Sequence, residues 1–148
     1  MIRRFGEPPQ AHIHYRHRPG AYAILRRGEE ILLTFQDAPF AEFQLPGGGI
    51  DLGEHVMQAL RREVMEETGY LISNPKKLGV FRRFVLMPEY GIWAEKVCHI
   101  FIARPTLRKG PPTEVGHSCH WVSPKQAIKL VANTGDQHFL RRTLLKVR

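Results

Sequence analysis

The sequence predicts one α/β domain in which a mixed sheet lies between helices, an α/β/α sandwich. Three observations support this. Strand-like runs lie on both sides of a central helical segment, and two more helical segments follow near the C-terminus. The length of 148 residues, with 43% hydrophobic and 24% charged residues, is typical of a single globular domain. We assign residues 1–18 to an N-terminal arm and residues 19–148 to the domain.

The N-terminal arm is rich in proline and histidine. Pro8 and Pro9 disfavour regular structure, and the alternation over 12–17 predicts an edge strand. That alternation places His12 and His14 on one face and His17 on the other. We therefore expect a polar, exposed strand face here rather than a metal site.

The first part of the domain reads as a β-hairpin. Two runs of β-forming residues, 21–26 and 30–36, flank Arg27, Gly28 and Glu29, and a glycine between two such runs is a hairpin signal. A loop over 37–42 follows. The segment 43–46 then leads into Gly47, Gly48 and Gly49.

The central helical segment carries three carboxylates on one face. Glu63, Glu66 and Glu67 stand at i, i+3 and i+4, so their β-carbons lie within roughly 5–6 Å of one another on a helix. Charges of one sign at that separation repel. A divalent cation that prefers oxygen ligands, Mg²⁺ or Mn²⁺, would offset the repulsion.

The same segment has an apolar face and glycines at its ends. Met57, Leu60 and Val64 recur at spacings of three and four, which predicts a stripe that packs on the core. The three preceding glycines let the backbone approach phosphate oxygens or a metal closely. Gly69 follows the last glutamate, where a helix commonly ends.

The rest of the chain alternates strands and loops before two terminal helices. We predict strands over 70–72, 78–86, 95–103 and 120–122, with loops over 87–93 and 104–116. Ser123 and Pro124 predict the start of a helix that continues over 125–131. A last helix is expected over 136–146.

The central segment resembles the signature of the Nudix hydrolases. The matching pattern runs Gly48, five residues, Glu54, seven residues, Arg62-Glu63-Val64, one residue, Glu66-Glu67, one residue, Gly69-Tyr70. Tyr70 departs from the aliphatic residue usual in the family, and its ring is apolar enough to pack there. The strands on both sides also agree with the Nudix fold.

The resemblance implies roles for the residues of this pattern. It implies that Glu63, Glu66, Glu67 and the carbonyl of Gly47 bind Mg²⁺ or Mn²⁺, and that Arg62 orients the glutamates through salt bridges. Further, Glu54, Gly48 and Gly69 would be structural. The implied reaction is hydrolysis of a pyrophosphate linkage in a nucleoside diphosphate joined to a moiety X.

The general base stays open between two glutamates at this stage. Glu63 is one candidate. Some family members use a glutamate from a later loop, and Glu114, the only acidic residue between Glu95 and Asp136, precedes Trp121 in such a loop. Histidine bases at His117 or His120 are also conceivable, although packing roles are more common for histidines in strands and loops.

The identity of X is not encoded in the signature. Residues outside it that would contact the substrate are, by placement, Phe43, Arg82, Arg83, Tyr90 and Trp93. X would be a sugar or phosphate, so that the substrate is a nucleotide-sugar, an NTP or a modified NTP.

Two other functions deserve comparison with small-nucleotide hydrolysis. The net charge of +8 favours an RNA 5′-end pyrophosphohydrolase as the alternative. A non-catalytic nucleotide-binding regulator is disfavoured, because every acid of the signature is present.

The remaining expectations concern location and partners. No apolar run reaches the roughly 18–20 residues of a membrane span, and the first residues lack the apolar core of a signal peptide, so we expect a cytoplasmic protein with no membrane partner. A homodimer is left open. Cys98 and Cys119 are expected to be buried free thiols.

Overall fold

The computed structural model describes residues 1–145, which form a mixed sheet and three α-helices. The strands are β1 (Arg3–Arg4), β2 (Arg16–Arg27), β3 (Glu30–Gln36), β4 (Glu42–Gln44), β5 (Gly47–Gly49), β6 (Tyr70–Met87), β7 (Ile92–Arg108) and β8 (His117–Val122). The helices are α1 (Val56–Thr68), α2 (Pro124–Leu130) and α3 (Thr134–Leu144), and a short 3₁₀ turn spans Pro88–Tyr90.

The sheet has the strand order β1-β6-β7-β2-β3-β4, with β5 paired to β2 and β8 paired to β3. The pairs β1/β6 and β2/β7 are parallel, and the other pairs are antiparallel. The predicted hairpin is confirmed, because β2 and β3 pair around the turn at Gly28.

Helices cover both faces of the sheet, which confirms the α/β/α sandwich. Alternate residues of β2 face opposite ways: Ala23 packs toward α1, and Ile24 packs toward α2 and α3. On the first face Leu60 and Val64 of α1 are fully buried, as the apolar stripe predicts. Each such side chain contributes roughly 1.5–3 kcal/mol by leaving water, so one face of α1 is fixed to the sheet and the acidic face remains available.

The strands are longer than the sequence patterns indicate. The two strands predicted over 70–72 and 78–86 form one continuous strand, β6, because register shifts between Ser73 and Lys76 absorb the turn-like residues Ser73, Asn74 and Pro75. Its partner β7 extends to Arg108, so the first part of the loop predicted over 104–116 is strand. Each strand supplies the backbone partners that hold the other extended.

The N-terminal arm differs from the prediction. The edge strand is β1 at Arg3–Arg4, while β2 begins only at Arg16, so the strand predicted over 12–17 is wrong for its first four residues. A turn closed by the Ile13 N–H and the Gln10 carbonyl occupies that stretch instead. Phe5 fixes the arm by packing edge-on against Phe81, with 5.5 Å between the ring centroids.

Helix ends follow the local signals. Ser123 and Gln126 form a capping box at the start of α2. Helix α3 begins at Thr134 and ends at Leu144, so the predicted end at Lys146 lies outside the described residues. Cys98 and Cys119 are free thiols, the first buried and the second partly buried. Within residues 1–145, no helix combines the length and apolarity needed to cross a bilayer.

Candidate active site at the end of a cleft

The glycine turn and the acidic helix meet at one end of the sheet. Strand β5 pairs with β2, with Gly48 opposite Ala21. A Cβ on Gly48 would overlap the carboxylate of Glu63. A Cβ on Gly47, whose φ is 146°, would overlap the backbone of Ala21. Glycine at these two positions is therefore what lets β5 lie directly against the carboxylates of α1.

Three carboxylates converge at this point. Glu63, Glu66 and Glu114 each have one carboxylate oxygen that lies within 4.8 Å of the other two. We call these three residues the acidic cluster. The structure thus brings the loop glutamate to two of the helix glutamates.

Hydrogen bonds at the end of α1 explain how Glu114 reaches the cluster. The N–H groups of Thr113 and Glu114 donate to the carbonyl of Glu66 at 2.8 and 3.1 Å. This carbonyl is among the last four of α1, which have no partner within the helix. Likewise, Lys109 donates its N–H to the carbonyl of Gly69 at 2.8 Å. The loop therefore completes the hydrogen bonding of the helix end and presents Glu114 to the site.

Glu67 follows Glu66 on the same helix and is only 5% exposed. Its Oε1 accepts a hydrogen bond from the Gly47 N–H at 3.1 Å. Its Oε2 lies 3.2 Å from Nε2 of His117, close enough for an ion pair. Burial raises the pKa of Glu67 well above its usual range, against the opposing effect of the Gly47 N–H. The predicted metal-binding roles of Glu67 and of the Gly47 carbonyl stay predictions.

Arg62 bridges the carboxylates from the side. Its guanidinium donates to both carboxylate oxygens of Glu54 at 2.8 and 2.9 Å, to Glu63 at 2.9 Å and to Glu66 at 3.2 Å. The bonds from Arg62 lower the pKa of Glu54 to about 2. For Glu63, burial raises the pKa and the Arg62 bond opposes the rise. The geometry is that expected of a residue that orients the glutamates.

A cleft of about 920 Å³ opens from the acidic cluster. Among the residues suggested as substrate contacts, Arg83, Tyr90 and Trp93 line it. Tyr90 is 59% exposed and Trp93 37% exposed, so aromatic surface is available at the mouth.

Phe43 and Arg82, also suggested as substrate contacts, lie outside the cleft lining. The ring of Phe43 packs on Phe35 with 4.9 Å between centroids. Alternation along β6 puts Arg82 on the face opposite Arg83, where its Nη1 lies 3.3 Å from Glu95 Oε2. His120 is likewise not among the lining residues, and its Nε2 lies 2.8 Å from the hydroxyl of Ser118.

Sequence reasoning missed several polar residues that line the cleft: Arg18, Tyr22, Lys96 and Asp136. Tyr22 and Lys96 lie within the strands predicted over 21–26 and 95–103. Arg18 directly follows the segment 12–17, and Asp136 is the first residue of the predicted last helix. The only signal for Lys96 is a positive charge near the start of a mostly apolar strand. Arg18, Tyr22 and Lys96 come together through the parallel pairing of β2 with β7, and Asp136 joins them from α3. Local sequence patterns do not specify this arrangement.

The acidic cluster fits a hard divalent cation. It offers carboxylate oxygens only, the donor type that Mg²⁺ and Mn²⁺ prefer. Arg62 contributes one positive charge beside Glu63 and Glu66, fewer than the negative charges that the three carboxylates carry when ionised. Glu63, Glu66 and Glu114 could therefore hold a cation. The buried carboxylate of Glu67 follows Glu66 on the same helix.

Comparison with known proteins places the chain in a family. The NUDIX domain matches residues 16–143. A Bacillus subtilis (strain 168) protein named "Putative 8-oxo-dGTP diphosphatase" is 42% identical over 66 residues, which is 43% of this chain and 43% of that protein. Another from the same organism, "Uncharacterized Nudix hydrolase YvcI", is 28% identical over 117 residues, covering 79% of this chain and 73% of that protein.

The fold is shared with solved structures of the same kind. A NUDIX hydrolase from Nitrosomonas europaea superposes with a TM-score of 0.71 at 16% identity, covering 86% of this chain and 88% of the other. At this identity the likeness establishes the fold.

Proposed function

Because this chain belongs to the NUDIX domain family and is a Nudix hydrolase, we propose that it cleaves the pyrophosphate linkage of a nucleoside diphosphate joined to a moiety X, with Mg²⁺ or Mn²⁺ as cofactor. The observation that carries the proposal is the convergence of Glu63, Glu66 and Glu114 within 4.8 Å at the end of a cleft. A site of this kind suits a substrate with several negatively charged oxygens.

The residues of the site have distinct proposed roles. Glu63, Glu66 and Glu67, with the carbonyl of Gly47 and with Glu114 beside them, would hold the cation, which when bound would neutralise phosphate charge and make a water molecule easier to deprotonate. Arg62 fixes the orientation of Glu63 and Glu66 through the bonds described above. Hydrolysis adds water across the P–O–P bond and yields a nucleoside monophosphate and X-phosphate, or pyrophosphate where X is a phosphate.

We propose Glu63 and Glu114 as the two candidates that accept the proton of the attacking water. Burial raises the pKa of Glu63 and so favours its protonated form. Glu114 is the exposed member of the acidic cluster, and its backbone N–H is hydrogen-bonded to the end of α1. His117 is less suitable because its ring faces Glu67.

The substrate class is proposed from the cleft and from one relative. One Bacillus subtilis relative is named "Putative 8-oxo-dGTP diphosphatase", so an oxidised NTP is the first compound to test. The net charge of +8 supports the RNA 5′ end as the second candidate.

A substrate screen with a site variant tests the proposal. Wild-type protein is assayed with nucleotide-sugars, NTPs, oxidised NTPs, dinucleoside polyphosphates and triphosphorylated RNA, with Mg²⁺ and with Mn²⁺. The isosteric Glu67→Gln should lower hydrolysis of the best substrate by roughly a hundredfold or more, because a charged oxygen is lost while the bond from Gly47 can persist.

Glu42→Gln is the matched control, since Glu42 lines the same cleft and lies outside the acidic cluster. Near wild-type turnover by Glu67→Gln would refute the assignment. Tight nucleotide binding with no product over hours would instead favour a regulator.

A further inference from the structure

Three cationic residues stand in one row across the sheet. In the parallel pairing of β2 with β7, Arg18 is opposite Lys96, and in the antiparallel pairing of β7 with β6, Lys96 is opposite Arg83. Residues directly opposite each other on paired strands point to the same side of the sheet, so the three side chains share one face of the sheet. All three line the cleft. With neighbouring strands roughly 4.8 Å apart, the row spans about 10 Å.

No carboxylate within the described residues pairs with this row. Among residues 1–145, Arg18, Lys96 and Arg83 have no carboxylate oxygen within 4.0 Å, whereas Arg82 on the opposite face is paired with Glu95. The guanidinium of Arg18 lies 4.8 Å from the ring centroid of Tyr90, a cation–π contact that supplies no counter-charge. Like charges opposite each other on neighbouring strands are destabilising, so this arrangement is costly unless an anion joins it.

One buried carboxylate, that of Asp136, partly offsets the positive charge of the row. Asp136 is buried in the same cleft, where burial raises its pKa to about 6 while Arg83 and Lys96 oppose the rise. The pKa of Lys96 is raised, mainly by the Tyr22 phenol beside it, so the ammonium is charged at neutral pH. Three cations share this one buried carboxylate, and within the described residues the other acids of the lining, such as Glu42 and Glu89, form no ion pair with them, so positive charge is in excess along the row.

That excess matches a phosphate monoester. Such a group carries about −1.5 to −2 charge and three acceptor oxygens at neutral pH. Arginine forks and a lysine ammonium are the side chains that bind it best. Carboxylates, sugars and neutral bases offer less charge or fewer acceptors.

The row is separate from the acidic cluster. Arg18 stands two residues before Gly20 and three before Ala21, the β2 residues that pair with Gly49 and Gly48. At roughly 3.3 Å per residue, the row lies about 7–10 Å further along β2 than the glycine turn. One substrate can therefore place its reacting pyrophosphate at the cluster and another phosphate on the row.

We propose that Arg18, Lys96 and Arg83 bind a phosphate that the substrate carries in addition to the bond that is cut. This inference rests on the proposed function of the same cleft and narrows it: the preferred substrates bear a further phosphate on X, on the ribose, or at the end of the polyphosphate chain.

Binding without turnover is the first test. Adenosine 3′,5′-bisphosphate and adenosine are titrated calorimetrically into the intact protein in buffer with EDTA, so that no hydrolysis occurs. Lys96→Met and Arg18→Gln should each weaken bisphosphate binding about tenfold or more and leave adenosine binding unchanged, because each removes a charge-assisted hydrogen bond.

Arg82→Met is the matched control, since it removes an arginine next to Arg83 in β6 whose side chain lies on the opposite face of the sheet. Circular dichroism confirms that each variant is folded, and Arg18→Gln, at the partly exposed end of the row, serves if Lys96→Met is unstable. The proposal is overturned if both row variants bind the bisphosphate as wild type does, or if Arg82→Met weakens it equally.

Matched substrate pairs then identify the position of the phosphate. Coenzyme A is compared with dephospho-coenzyme A, NADPH with NADH, and each NTP with its NDP. In one pair the phosphorylated member should have a KM about tenfold lower, and Lys96→Met should remove that difference without a matching change in kcat. Hydrolysis with no such difference in any pair would refute phosphate binding by the row and would leave the proposed function standing. Bisphosphate binding that depends on the row, with no hydrolysis of any compound, supports the row and refutes the proposed function.

Discussion

At the scale of single residues, burial separates carboxylates that the sequence treats alike. Glu54 lies beside the Arg62 guanidinium, which lowers its pKa to about 2. Glu67, four residues beyond Glu63 on the same helix, is buried, and its pKa is raised. Identical side chains therefore differ in pKa, because hydrogen bonds from Arg62 stabilise the charged form of Glu54 whereas burial disfavours the charged form of Glu67.

Glu114 provides a test of the general base. Glu114→Gln keeps the size of the side chain and removes its ability to accept a proton, so kcat at saturating Mg²⁺ should fall more than about tenfold. Glu89→Gln, which alters another acid of the cleft lining, should change kcat little. A loss below tenfold in Glu114→Gln would return the role of base to Glu63 or to another group.

Asp136 predicts a pH dependence of stability. Its pKa is about 6 in the folded protein because of burial, above the ordinary 3.8. The folded state therefore binds the proton more tightly, and this residue lowers the free energy of unfolding as pH rises from about 4 to about 6. Relative to wild type, Asp136→Asn should become more stable by on the order of 3 kcal/mol between pH 4 and pH 7.

Urea denaturation across that pH range measures the effect. Asp37→Asn, at an exposed aspartate, is the control. A constant difference between wild type and Asp136→Asn at all pH values would contradict the prediction.

At the scale of elements, the end of α1 is where the site is assembled. Gly69 adopts φ 76° and ends the helix, and its N–H bonds to Met65 at 2.8 Å. The loop over 109–114 then crosses this end, using the carbonyls of Glu66 and Gly69. One helix terminus thus carries the helix glutamates and also positions the loop glutamate.

Gly69→Ala should disturb both stability and activity. The new Cβ would meet the carbonyl of Gly110, so the loop must move and take Glu114 with it. We expect a loss of about 2–4 kcal/mol in unfolding free energy and a clear fall in kcat.

Gly53→Ala is a close control for this change. Gly53 has φ 79°, and a Cβ there meets no atom within 4 Å. It should cost about 1 kcal/mol, from backbone strain alone, with little effect on kcat. Equal losses in the two variants, measured by urea denaturation and turnover, would show that the Gly110 contact is not important.

At the scale of the whole molecule, the acidic cluster links cation binding to folding. Glu63, Glu66 and Glu114 come together only in the folded chain, since Glu114 is 48 residues from Glu66 in sequence. A cation held by these carboxylates therefore binds the folded state in preference to the unfolded state. Removal of the cation should lower stability as well as activity.

Thermal unfolding with and without Mg²⁺ tests this link. At a Mg²⁺ concentration about a hundredfold above Kd, stability should rise by about 2.7 kcal/mol, or Tm by about 5–10 °C. EDTA should reverse the shift and abolish hydrolysis. Glu66→Gln should lose most of the shift and Glu89→Gln should retain it, whereas an unchanged Tm in wild type would refute the cation site.

Much of the fold follows from local pattern. The hairpin at Gly28, the apolar stripe of α1 and the Ser123 helix start all depend on neighbours within a few residues, and all are confirmed. The strand breaks predicted near Ser73 and Arg104 are wrong, because a long partner strand outweighs turn-forming residues. The histidine stretch also shows that alternation without an apolar face does not specify a strand.

The sequence by itself determined the acidic face of α1, since the spacing of Glu63, Glu66 and Glu67 fixes their common side once a helix forms. It also determined the glycines that let β5 approach them. Only the tertiary structure decided that Glu67 turns toward His117 and that Phe43 and Arg82 lie outside the cleft. It also decided that Arg18, Lys96 and Arg83 form a row. The reason is that helix geometry acts over four residues, whereas the register of β2 with β7 joins segments nearly eighty residues apart through packing.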